Sequence, residues 1–172
     1  MTADPPAGTP AGQGGDTPAE QPVDTASVVV DAPPDHVWDM VADVTRMGEW
    51  SPECTSCRWL GKRHEPVAGA RFVGFNKRGW ARWLTTNEVE QAERGRSFVF
   101  RVRETGVRWG YHLDGDAGTT TLTETRDLSS ARTWLIRLFG PFTGGVDRHA
   151  DELRAGMAET LRRIKAAAEA PA

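Results

Sequence analysis

A change of period constrains this chain more than any other feature. Between residues 54 and 127 apolar side chains recur at every second position, and after Asp127 they recur at helical spacing. Alternation is plainest in Phe98, Phe100 and Val102 against Val99, Arg101 and Arg103, and in Val107, Trp109, Tyr111 and Leu113 against Arg108, Gly110, His112 and Asp114. A period of two sends alternate side chains to opposite faces of a sheet. The spacing therefore predicts six strands, at about 54–62, 70–78, 80–91, 96–104, 107–115 and 119–127, with one apolar and one wetted face. The connections Arg78-Gly79, Glu93-Arg94-Gly95, Thr105-Gly106 and Asp114 to Gly118 are short and contain glycine, which predicts an antiparallel meander.

On either side of this block the pattern is different. Ser27–Asp31 is a β-branched run that predicts a first strand, ended by Ala32-Pro33-Pro34. Pro34 and Asp35 suit the first turn of a helix whose apolar side is Val37, Trp38, Val41 and Val44, and a second short helical segment runs over Thr45–Trp50. Downstream, Trp134, Leu135, Leu138 and Phe139 predict a short helix. A long helix beginning near Val146 gathers Val146, Ala150, Leu153, Met157, Leu161, Ile164 and Ala168 on one stripe. A sheet with one apolar face and a helix with one apolar stripe must cover each other. A strongly twisted sheet around a single helix leaves room for a cavity between them.

Residues 1–22 carry Pro or Gly at nine positions and almost nothing apolar, which predicts a disordered tail followed by a single domain over 23–169. Removing the tail's Asp4, Asp16 and Glu20 from the 24 acidic residues leaves 21, against 21 Lys and Arg. A neutral body argues against nucleic acid or an anionic membrane as partner, because phosphate neutralisation needs a basic excess. No run approaches the roughly 20 apolar residues needed to span a bilayer, and no secretory leader is evident, so a cytoplasmic location is expected. Cys54 and Cys57 form a C-x-x-C, yet the chain has no further Cys, and His36, His64, His112 and His149 are scattered. The expectation is two reduced thiols, no metal and no cofactor. Nucleophile-elbow, zinc-protease, P-loop and dinucleotide motifs are absent.

The stretch Asp31 to Trp38, then Asp43, then Glu49-Trp50-Ser51-Pro52-Glu53-Cys54, resembles the opening of the polyketide cyclase/dehydrase branch of the START-like (SRPBCC) superfamily. Gly69 to Gly79 with Trp83 beyond it, Phe98–Val102, Trp109–Leu113 and Gly156–Lys165 continue the likeness, so that it covers roughly residues 25–168. The resemblance implies an α+β helix-grip fold: a curved antiparallel sheet of about seven strands around a long C-terminal helix, with two short helices after the first strand. It leaves function open, since this superfamily hosts cyclases, lipid carriers and hormone receptors on one scaffold.

Seven tryptophans, at 38, 50, 59, 80, 83, 109 and 134, are a large aromatic supply for one domain. Aromatic walls with a few polar groups suit flat or greasy ligands. Parity places Phe72, Gly74 and Asn76 on one face, Ala81, Trp83, Thr85 and Asn87 likewise, and Tyr111 beside Trp109. The expected lining is Trp50, Phe72, Asn76, Trp83, Phe100, Trp109, Tyr111, Met157 and Leu161. On the last strand Leu122, Glu124 and Arg126 share a face that is either the inner one or an exposed edge. If it is inner, Tyr111, Glu124 and Arg126 are the candidates for acid/base work. Arg71, Lys77, Arg78, Arg82, Arg101, Arg103 and Arg108 are expected on the outer face. Three functions follow as expectations: a binder or carrier of a small hydrophobic, lipid- or polyketide-like molecule; an aromatase/cyclase-type enzyme; and an interaction module that uses the outer face.

Overall fold

The computed structural model describes residues 23–132 and 146–171, with side chains of the last helix described from Asp151 onward. The expected tail at 1–22 and the short helix around Trp134 to Phe139 lie outside the described residues.

Seven strands form one antiparallel sheet: β1 (Val23–Val30), β2 (Cys54–Leu60), β3 (Arg71–Arg78), β4 (Ala81–Glu93), β5 (Ser97–Val102), β6 (Arg108–Gly115) and β7 (Thr120–Asp127). Their order across the sheet is β1-β7-β6-β5-β4-β3-β2. Strands 2 to 7 are therefore the meander that the short glycine turns require, and β1 joins the far edge beside β7. The chain must then cross from the β1 edge to the β2 edge. It does so through α1 (Pro34–Ala42), a single 3-10 turn (Val44–Arg46) and α2 (Met47–Trp50). Pro34 opens α1 where its missing N–H costs nothing, and buried Trp38 anchors the helix by donating Nε1–H to the Ser97 carbonyl at 2.9 Å. Asp43 then accepts from the Thr45 N–H at 3.0 Å and starts the next turn.

The long C-terminal helix, α3 (Val146–Ala168), lies against the inner face of the sheet. Met157, Thr160, Leu161 and Ile164 are buried beneath it, with Leu153 and Ala168 half-buried on the same stripe. Its far end is tied to β1, where Lys165 Nζ donates to the Val29 carbonyl and the Asp31 N–H donates to Glu169, both at 2.7 Å. Bulges between Cys54 and Ser56 on β2 and between Val89 and Gln91 on β4 break the ladder and bend the sheet toward this helix. The result is a helix-grip fold. The core beneath it is Phe72, Phe98, Leu122, Leu161 and Ile164 with Val37, Val41 and Val44 from the helical crossing.

Gly48 shows how tightly the crossing is seated. A Cβ at this position would stand 2.3 Å from the Thr55 carbonyl oxygen, which is backbone on the bulged part of β2. Gly48→Ala is expected to lower stability by about 2 kcal/mol, as overpacking against an immovable group does. Urea unfolding of the variant tests this; a midpoint within error of the wild type would show that α2 can lift away freely.

Candidate functional site

Between α3 and the sheet a cavity of about 410 Å³ is left open. It sits toward the half of the sheet formed by β2 to β6, where the bulge on β2 and Gly74 make space. A Cβ on Gly74 would meet Thr85 Oγ1 at 3.0 Å and Asn87 Nδ2 at 3.5 Å, so any larger residue would intrude. Asn76, Trp83, Phe100, Trp109, Tyr111 and Met157 of the expected lining all face this space, and so does Glu124.

Three of the expected lining residues do not reach the cavity. Trp50 is 2% exposed and packs in the core with the Arg46 guanidinium 4.7 Å over its ring. Phe72 is fully buried between Trp59 and Phe100, with ring centroids 5.8 and 5.2 Å away. Leu161 is part of the same core. Parity assigns Phe72 to the inner side correctly, and Trp50 and Leu161 are inward from their helices, but depth along the strand or helix decides whether an inward group meets solvent space or another side chain.

Arg126 is also drawn elsewhere. It faces inward on β7, but its Nη1 donates to Asp24 Oδ2 at 2.7 Å, and both side chains are 8% exposed. Asp24 in turn accepts from Arg154 of α3 at 2.7 Å. Asp24 is thus the middle of a strut from Arg126 on β7 through β1 to Arg154 on α3, and the Arg126 guanidinium lies 6.0 Å from the Trp109 ring. Arg78 departs from expectation in the other direction. It lies on the same face as Phe72, Gly74 and Asn76, lines the cavity mouth and pairs with Glu152 of α3. Sequence parity contained this placement; the sheet-to-helix ion pair that makes it possible did not show in the sequence.

The polar groups of the cavity fall into two sets. Asn76 Nδ2 and Asn87 Nδ2 both donate to Thr85 Oγ1, at 3.3 and 3.4 Å, forming a small amide and hydroxyl cluster on β3 and β4. Opposite, Tyr111 and Glu124 are directly paired across β6 and β7. Both are buried, and Glu124 Oε2 has no hydrogen-bond partner. Burial pushes the Glu124 carboxyl up to about 8, with the Tyr111 hydroxyl working against the shift. Burial, then the charge of Glu124, pushes the Tyr111 phenol well above its ordinary value. At neutral pH this end of the cavity therefore holds a carboxylic acid and a phenol, both neutral and both able to donate. An unsatisfied buried acid is costly unless something else in the cavity completes its hydrogen bonding.

At the mouth, burial pushes Glu53 up to about 7 while Arg78 pulls it back. Sequence reasoning did not single out Glu53 or Glu152; only the placement of loop and helix reveals them. Cys54 and Cys57 line the same wall as free thiols with their sulfur atoms 3.4 Å apart. Residues three apart on a regular strand point to opposite faces, and the bulge after Cys54 is what turns both inward. The hydrogen bond with Cys54, and then burial, push the Cys57 thiol up. Among the described residues no group of three or more His, Cys, Asp or Glu is placed to hold a metal ion.

A curved antiparallel sheet gripping one long helix, with an aromatic-walled cavity between them, defines a helix-grip ligand-cavity protein. The family described as polyketide cyclase / dehydrase and lipid transport matches residues 24–169, and the chain belongs to it. A solved polyketide-cyclase-like protein of Corynebacterium glutamicum is 30% identical, with 86% of this chain and 91% of that one covered and a TM-score of 0.52. The fold is shared with the Zhui aromatase/cyclase of Streptomyces sp. R1128, at 19% identity over 87% of this chain and 94% of that one, TM-score 0.56. It is shared too with the di-domain ARO/CYC BexL of the BE-7585A biosynthetic pathway, at 18% identity and TM-score 0.63, where 91% of this chain covers 52% of that one. No curated protein matches the sequence. No helix among the described residues is long and apolar enough to cross a membrane.

Proposed function

We propose that the protein binds and carries a small, largely apolar molecule in the cavity between the sheet and α3, the molecule having at least one oxygen that accepts a hydrogen bond at the Tyr111 and Glu124 end. The observation that carries this reading is the cavity itself: about 410 Å³, walled by Trp83, Phe100, Trp109 and Met157. That volume falls in the range of small-molecule sites, and aromatic walls supply most of their affinity. Asn76, Asn87 and Thr85 orient a ligand without titrating, which suits binding better than proton transfer.

Native mass spectrometry of the purified full chain tests the proposal. An apolar molecule should co-purify or load readily, and leave chemically unchanged. Trp83→Ala and Trp109→Ala should each weaken its uptake about tenfold or more, the loss expected for removing one buried aromatic wall. Unchanged affinity in both, with the fold intact, would put the ligand elsewhere.

A second reading, an aromatase/cyclase-type enzyme, is favoured by one observation, the neutral Glu124 beside Tyr111 inside the cavity. An acid tuned near neutrality is suited to giving and taking protons. The same spectra separate the two. A carrier keeps binding after Tyr111→Phe and Glu124→Gln, whereas an enzyme returns an altered product in the wild type that those variants abolish.

A further inference from the structure

The outer face of the sheet divides into two unlike halves. Away from the β3–β4 hairpin the arginines expected on this face are matched: Arg71 and Arg103 pair with Glu88, and Arg101 and Arg108 pair with Glu90. At the β3–β4 hairpin the outward cations are unmatched among the described residues. Lys77 and Arg82 stand directly opposite each other in the ladder, and no carboxylate among the described residues pairs with either. Like charges in that position destabilise a sheet. Arg58 has no carboxylate partner among the described residues either and lies 5.8 Å over the Phe75 ring, whose cross-strand neighbour is Leu84.

The same hairpin carries the two most exposed large apolar side chains of the described residues, Trp80 at 84% and Leu84 at 60%. Its turn has two residues. Gly79 adopts φ +57°, a conformation open to glycine, and this places Trp80 at the projecting corner. A turn of this kind is normally built from small polar residues, so an indole here is a cost to the free protein. Lys77, Arg78 and Gly79 also line the cavity mouth.

We propose that this hairpin tip docks the protein on an anionic lipid bilayer, with Trp80 and Leu84 entering the headgroup region, Lys77, Arg82 and Arg58 meeting lipid phosphates, and the cavity mouth turned toward the membrane. An indole with an apolar body and a polar N–H is suited to the depth of the headgroups, and each cation near an anionic leaflet adds attraction. Among the described residues Trp80 is the one aromatic ring exposed at the tip, whereas a single strand of nucleic acid is held by stacking successive bases on several. Overall neutrality of the body conceals the patch, because the matched arginines and the unmatched cations are counted together. Docking needs nothing from the cavity; only its purpose, moving an apolar cargo without passing through water, rests on the ligand-binding reading.

Co-sedimentation of the full chain with vesicles, without cargo, tests this. Vesicles of phosphatidylcholine with about a third phosphatidylglycerol should carry down the wild type at low salt, and vesicles of phosphatidylcholine alone should do so about a hundredfold less well, as expected for three cations at an anionic surface. Trp80→Ala and the pair Lys77→Glu with Arg82→Glu should each lower partitioning about tenfold or more, with unfolding midpoints unchanged because these side chains are exposed. Trp83→Ala should leave sedimentation unchanged even where it abolishes loading, so failure of docking and failure of the cavity reading are separate results. A wild type that stays in the supernatant, or tip variants that sediment like it, overturns the proposal. So does binding of a polyuridine oligonucleotide without binding of vesicles.

Discussion

Glu124→Gln is expected to stabilise the protein at pH 9 by on the order of 4 kcal/mol, while leaving stability at pH 4 nearly unchanged. The Glu124 carboxyl titrates at about 8 in the folded chain and at its ordinary 4.5 once unfolded. Between those values the native state keeps a proton that the unfolded state has already lost. The Glu124 contribution to stability is therefore greatest below pH 4.5, declines as the pH rises toward 8, and is level above it, with a limiting slope of about 1.4 kcal/mol per pH unit. An amide cannot ionise, so the variant does not lose this contribution as the pH rises. Glu53, held up to about 7 by burial, adds a slope that ends lower and should persist in the variant. Urea unfolding at pH 4, 7 and 9 reads both. Parallel profiles for wild type and variant would mean that the Glu124 side chain reaches water in the native state.

The second large effect concerns Asp24. Asp24→Ala should cost about 3–5 kcal/mol, because it leaves the Arg126 guanidinium buried and unpaired. The partner's own exposure of 8% shows how little water could replace the lost carboxylate. Arg154, half-exposed at the other end of the same carboxylate, should contribute much less; Arg154→Ala is expected to cost under about 1 kcal/mol, as exposed ion pairs do. A double replacement, Asp24→Leu with Arg126→Met, should recover most of the loss, since removing both charges avoids the orphaned one. Equal losses in the single and double variants would show that the strut contributes through its shape and not through charge.

The strands, their faces and the C-terminal stripe were legible because each is a local period that burial on one side imposes. The four residues that extend the first strand, Val23 to Ala26, were not. An Asp at an inward position looks wrong for a strand until Arg126, a hundred residues on, is known to face it. The same holds for the cavity. Which residues point inward could be read from parity, and Asn76, Trp83, Phe100, Trp109 and Tyr111 are where parity puts them, whereas parity left the face of Glu124 open. How deep each one sits could not, so Trp50, Phe72 and Leu161 belong to the core. The thiol pair and the acidic mouth depend on a bulge and on helix placement, and neither leaves a period in the sequence.

The pairing of the first strand with the last has a consequence for how the chain comes together. Val23 stands opposite Asp127 in the ladder, and Val30 opposite Thr120, so β1 has no partner until nearly the whole meander exists. During synthesis the inward Val28 and Val30 leave the ribosome long before the strand that will pair with them, while β2 to β7 can zip hairpin by hairpin as they appear. Closing so large a loop makes β1 docking a late event, and the half-made sheet waits with its β7 edge open. Aggregation of this protein during expression is therefore a contest between β1 and the β1 of a neighbouring chain for the same edge.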